Sequence, residues 1–138
     1  MAKTPSTMLE LGTPAPEFSL PCTVSGRNVR LADFSASEAL LVMFLSNHCP
    51  FVKHIQQRLV ALSRKWQGQG LGVVAISSND VSTHPEDGPA LMKEEAQTAG
   101  YSFPYLYDES QTVAKSYQAA CTPDFFLFDS SRRLVYRG

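Results

Sequence analysis

Two stretches of the chain are apolar without a break, and one is apolar along a single helical stripe. Leu40-Leu41-Val42-Met43-Phe44-Leu45 and Leu71-Gly72-Val73-Val74-Ala75-Ile76 lack the alternation of a half-exposed strand. Each therefore reads as a strand buried on both faces. Between them Val52, Ile55, Leu59, Leu62 and Trp66 fall at i, i+3, i+7, i+10 and i+14. That is the apolar stripe of an amphipathic helix, ended by Gly68 and Gly70, and it assigns Trp66 to the core.

Phe18-Ser19-Leu20 and Val29-Arg30-Leu31 read as two short strands around the turn Ser25-Gly26-Arg27-Asn28. After the second apolar run come a loop with Pro85, Gly88 and Pro89, and a helix over 90–99 stopped by Gly100. Phe103-Pro104-Tyr105-Leu106 is a short extended piece, and a helix over 112–119 follows, with Asp108 or Ser110 near its start. Phe125-Phe126-Leu127-Phe128 and Leu134-Val135-Tyr136 form an antiparallel hairpin around Asp129-Ser130-Ser131-Arg132. Strands alternate with helices and the chain closes on a hairpin, which predicts an α/β domain with a mixed sheet.

Composition narrows the setting. A chain of 138 residues fits one domain over 1–138, with the Pro- and Thr-rich residues 1–16 as a loose arm. A net charge of -1 offers no basis for binding nucleic acid or an anionic membrane. No apolar run approaches the roughly twenty residues of a membrane span. Met1 to Gly12 holds one lysine and no apolar segment of a secretory signal. The 3 cysteines are too unevenly spaced for a disulfide framework, so the expected location is the cytosol.

Cys49 carries the chemistry. It ends the step Ser46-Asn47-His48-Cys49-Pro50 between the first apolar strand and the helix. Unsatisfied backbone N–H groups and the positive end of the helix dipole favour a thiolate there. The competing reading is a small buried core thiol. His48 adjoins the nucleophile and is a candidate proton shuttle or thiolate stabiliser, while His54 reads as a partly exposed helix residue. A metal site from His48, Cys49, His54 and His84 lacks any Cys-x-x-Cys or His-x3-His spacing, so no metal is expected. Asn79 and Asp80 end the second buried strand at the same sheet edge, either to position a substrate or to cap a turn. Cys22 reads as a passenger in a surface hairpin. Glu86-Asp87 and Glu94-Glu95 read as solvated charge.

Three blocks resemble the thioredoxin superfamily, and within it the peroxiredoxin-like branch of alkyl hydroperoxide reductase and thiol-specific antioxidant proteins. They are Phe44 to His54, Val74 to Asp80, and Cys121 to Asp129. The resemblance implies a thioredoxin-like mixed sheet flanked by helices, with an N-terminal β-hairpin extension. Cys49 matches the first position of the family's Cys-x-x-Cys, and Val52 stands at the second. Ser46 stands where peroxiredoxins carry a threonine that helps hold the peroxide. The arginine those proteins place near the later strand has no counterpart in Thr122-Pro123-Asp124. Thr122-Pro123 matches the loop whose proline is cis and faces the reactive sulfur.

The implied activity is a thiol-dependent antioxidant oxidoreductase whose Cys49 thiolate attacks a peroxide or a disulfide. Reduction would come from an external thiol, or from Cys121 as a resolving cysteine through a transient disulfide with Cys49. No organic cofactor is implied, because the sulfur carries the electrons. The alternative is a non-catalytic binding or redox-sensing module on the same scaffold. Relatives follow the terminal hairpin with a helix across one sheet face, and this chain ends on the strand. That face is therefore expected to be covered by residues 1–16 or by self-association into a homo-oligomer.

Overall fold

The computed structural model describes residues 9–79, 82, 84–119 and 122–138, with the side chain of Glu86 set aside. Cys121 and Asp80 thus lie outside the described residues. Seven strands and three α-helices follow one another as β1 (Ser19–Pro21), β2 (Asn28–Arg30), β3 (Ala39–Phe44), α1 (Pro50–Gln67) and β4 (Leu71–Ser77). They continue as α2 (Pro89–Ala99), β5 (Tyr105–Tyr107), α3 (Thr112–Tyr117), β6 (Asp124–Phe128) and β7 (Leu134–Arg137). The main sheet has the order β5-β4-β3-β6-β7, and β1 and β2 form a separate antiparallel ribbon. β3 pairs in parallel with β4, and β4 with β5, whereas β6 and β7 run antiparallel.

The two unbroken apolar runs are the sheet centre, and both faces of that centre are filled. Leu40, Val42 and Phe44 of β3 pack with Ile76, Phe126 and Tyr117 on one side. Met43 and Leu45 pack with Val52, Met92 and Tyr105 on the other. A strand with a core on either side has no use for alternation. Gly72 is required inside β4 because a Cβ there would sit 2.8 Å from Ser37 Oγ. Gly100 ends α2 in the left-handed region at φ 75°, a conformation open to glycine at little cost. Asp108 is buried and accepts from the backbone N–H groups of Val113 and Ala114, which fixes the start of α3.

Several sequence expectations are corrected here. Trp66 is 45% exposed rather than core. The buried arc of α1 is turned toward Val60 and Ser63, about 80° and 20° round the helix from Val52. Trp66 and Leu62 fall about 40° and 80° to the other side, where the packing stops. Cys22 is buried in the core, because it bridges to Leu106 at the edge of β5. Asp87 is wholly buried rather than solvated. Residues 9–16 are docked, not loose: Gly12 N–H donates to Leu134 O, Leu134 N–H to Thr13 O, and Ala15 N–H to Arg132 O. Leu9 and Ala15 pack against the core.

Between the C-terminal end of α1 and the strands β3, β6 and β7 lies an apolar groove of about 530 Å³. Leu41, Trp66, Phe125, Leu127 and Tyr136 line it, and no residue from 9–16 does. The described part of the arm therefore covers the edge at β7 and leaves this face open.

Candidate active site

The chain leaves β3 at Phe44 and enters α1 at Pro50, and the turn between them is held from three sides. Cys49 is the N-cap of α1 with extended backbone, and Pro50 opens the helix without needing an N–H partner. Ser46 Oγ accepts from Cys49 N–H at 3.2 Å, an inward clasp within the turn. Ser46 Oγ and Thr122 Oγ1 lie 3.3 Å apart, joining the turn to the loop before β6. The Thr122–Pro123 peptide is cis, as the sequence led us to expect. Cys49 Sγ donates to Thr122 O at 3.2 Å. Cys49, Ser46, Thr122 and Pro123 are thus brought together.

Burial raises the Cys49 pKa, but the backbone N–H groups of Val52 and Phe51 and the hydroxyls of Thr122 and Ser46 outweigh it. The net result is a thiol below its ordinary value, in the direction that makes sulfur nucleophilic. Cys22 is also lowered, with burial opposed by hydrogen bonds from Ser25, Val24 and Tyr105. Acidity alone does not separate these two thiols. Location does, because Cys22 lies within the core while Cys49 opens onto the end of the sheet beside Phe51, which is 73% exposed.

The third side of the turn is a buried polar cluster. Asp87 accepts from Asn47 N–H at 2.6 Å through Oδ1. Its Oδ2 meets His48 Nδ1 at 2.5 Å and accepts from Asn79 Nδ2 at 3.0 Å. Tyr105 OH donates to Asn47 Oδ1 at 2.9 Å, and burial keeps that phenol well above its usual pKa. The His48 ring stacks on His84 with centroids 3.8 Å apart and planes within 1°. Asn79 therefore serves a carboxylate, where sequence had offered it as a substrate-positioning group. Among the described residues no group of three or more His, Cys, Asp or Glu side chains is placed to hold a metal ion.

Sequence reasoning missed Asp87 and a second buried pair. Arg137 Nη2 lies 2.9 Å from Asp124 Oδ2 and 2.9 Å from Gln118 O, with its guanidinium 4.9 Å above the Phe126 ring. It comes from β7 rather than from the Thr122-Pro123-Asp124 block. No motif could have signalled a partner 13 residues away.

A five-stranded mixed sheet, with a cysteine at the N-cap of the helix after its central strand and a cis-proline loop against that sulfur, defines a thioredoxin-fold thiol oxidoreductase. Within that class the chain belongs to the AhpC/TSA family, which residues 11–137 match. It is 52% identical to an uncharacterized conserved protein from Geobacillus kaustophilus, with TM-score 0.93 over 95% of this chain and 69% of that one. A hypothetical protein from Sinorhizobium meliloti is similar at 52% identity and TM-score 0.92, over 94% of this chain and 70% of that one. The thioredoxin domain of a thiol-disulfide oxidoreductase from Bacteroides vulgatus shares the fold at TM-score 0.76 and 20% identity, over 94% and 88% of the two chains. A comparison with curated proteins found no match. No helix among the described residues is long and apolar enough to cross a membrane.

Proposed function

We propose that this protein is a peroxiredoxin-like antioxidant oxidoreductase of the cytoplasm, with the Cys49 thiolate as its nucleophile. The observation that carries this reading is the 3.2 Å approach of Cys49 Sγ to the Thr122 carbonyl at the start of α1. A peroxide would be cleaved between its oxygens, one joining Cys49 as sulfenic acid and the other leaving as alcohol or water. A disulfide substrate would instead give a mixed disulfide. The sulfenic acid condenses with one external thiol, releasing water, and a second external thiol then frees Cys49 as the reductant becomes a disulfide. Ser46 and Thr122 supply hydroxyls beside the sulfur for substrate oxygen.

A second reading, a redox-sensing or binding module, draws on Val52 standing buried where a second cysteine would complete a dithiol. One experiment separates the two. Mild peroxide treatment with a sulfenic-acid trap, read by mass spectrometry, should modify Cys49 and show whether it links to Cys121. Turnover with peroxide and an external thiol should then follow. Oxidation of Cys49 without turnover favours the sensor, and oxidation only at Cys22 or Cys121 removes both readings.

A further inference from the structure

Asp87 has no solvent exposure and is surrounded by donors, two of which come from the turn that carries Cys49. Burying a carboxylate is costly unless such donors meet it, so this cluster holds the turn and the loop around 84–88 as one unit. The His48 ring is fixed twice, edge-on by Asp87 and face-on by His84. A neutral imidazole that donates from Nδ1 keeps Nε2 as its acceptor. The ring is 29% exposed while the carboxylate behind it is closed off, so proton exchange is available on the imidazole side.

We propose that Asp87 is a positioning residue for the thiol chemistry, holding His48 by Nδ1 so that Nε2 carries the proton taken up by the departing group. This inference rests on Cys49 as the nucleophile. With a dialkyl disulfide, the Cys49 thiol proton passes to His48 Nε2 and the sulfur electron pair attacks one substrate sulfur. The new S–S bond forms as the substrate S–S bond breaks. The departing sulfur leaves with the electron pair and takes the proton from Nε2, emerging as a thiol. Cys49 is oxidised, the departing sulfur is reduced, and His48 ends neutral as it began.

A general acid matters most when the leaving thiolate is basic, because a weakly basic thiolate departs unaided. Single-turnover reaction of the reduced full chain with two small probes tests this: an aromatic disulfide and a dialkyl disulfide, with the adduct assigned to Cys49 by mass spectrometry. General acid–base catalysis is typically worth about 100- to 10,000-fold. Asp87→Asn offers one carbonyl oxygen in place of two, so it cannot serve Asn47 N–H, His48 and Asn79 together. It should slow the dialkyl probe about 10-fold or more and leave the aromatic probe within about 3-fold. His48→Ala should do the same, and the double variant should lose no more. Equal slowing of both probes in His48→Ala would mark a merely structural role and overturn the proposal, as would no slowing of either. Should Asp87→Asn fail to fold, His48→Ala alone decides by the same rule. Small-probe exchange runs at any reachable thiolate, so the result stands apart from turnover with peroxide. Leaving-group selectivity without turnover would remove the proposed function and keep this inference.

Discussion

Cys49 Sγ stands 3.2 Å from the carbonyl oxygen of Thr122, a residue 73 positions later in the chain. In this arrangement the thiol is the donor. Once it ionises, sulfur and carbonyl are both acceptors, and the negative charge rests on the N–H groups of Phe51 and Val52 and the two nearby hydroxyls.

That charge gives the first prediction. The folded Cys49 pKa lies below its ordinary value of 9.0, so the folded state favours the thiolate. The linked stabilisation is absent below the folded pKa, grows as pH rises through it, and is complete above 9.0. Alkylation of Cys49 should therefore show a midpoint below 9.0 and precede that of Cys22. The melting temperature of wild type relative to Cys49→Ser should rise over the same interval. A flat difference would contradict the assignment.

Val52 is buried one turn into α1, where a second thiol would face the first. Val52→Cys should let oxidised protein close an internal bridge, cutting mixed disulfides at Cys49 by about 10-fold for roughly 1 kcal/mol of stability. Mass spectrometry of the oxidised variant checks this. An unchanged yield of mixed disulfide would show that the helix start holds the two sulfurs apart.

Trp66 and Phe126 should behave very differently on truncation. Phe126 has no solvent exposure and meets Phe44 and Tyr117 edge-on, so Phe126→Ala should cost about 3–5 kcal/mol. Trp66→Ala, at the open groove, should cost about 1 kcal/mol or less in dilute solution. Urea unfolding of both variants decides the matter.

The Arg137–Asp124 pair is buried on both sides, with side-chain exposures of 5% and 6%. Asp124→Ala would leave a buried guanidinium without its carboxylate, a change worth about 3–5 kcal/mol. Replacing both residues by apolar ones should recover most of that loss in the same unfolding measurement.

Leu41, Phe125 and Leu127 sit half-covered in the groove with Tyr136 at its rim. The expectation is concentration-dependent self-association of the reduced protein, measured by light scattering. Tyr136→Lys should return it to monomer. Wild type that stays monomeric across the concentration range would remove the expectation.

The parts legible in sequence were those set by local pattern. Continuous apolar runs gave β3 and β4, Pro50 gave the start of α1, and Thr122-Pro123 gave the cis loop. What escaped was set by tertiary placement. Asp87 in Pro85-Glu86-Asp87 has the composition of a wet loop, and only folding brings it against Asn47, 40 residues away. Cys22 follows Pro21 in a ribbon that looks exposed until it is laid on β5. Trp66 was misplaced because an apolar stripe shows which residues share a face, but not how far along the helix that face is covered.

The docked arm has a consequence for how this sheet meets other chains. Gly12, Thr13 and Ala15 occupy the backbone groups at the start of β7, and Cys22 and Thr23 do the same along β5. Both outer borders of a five-stranded sheet are thus occupied by earlier parts of the same polypeptide. Unpaired borders are templates for strand-by-strand polymerisation, and here the N-terminal segment blunts them. Shortening that segment past Ala15 should leave the thiol site in place yet turn a chain that stays dispersed into one that recruits its own kind into fibrils.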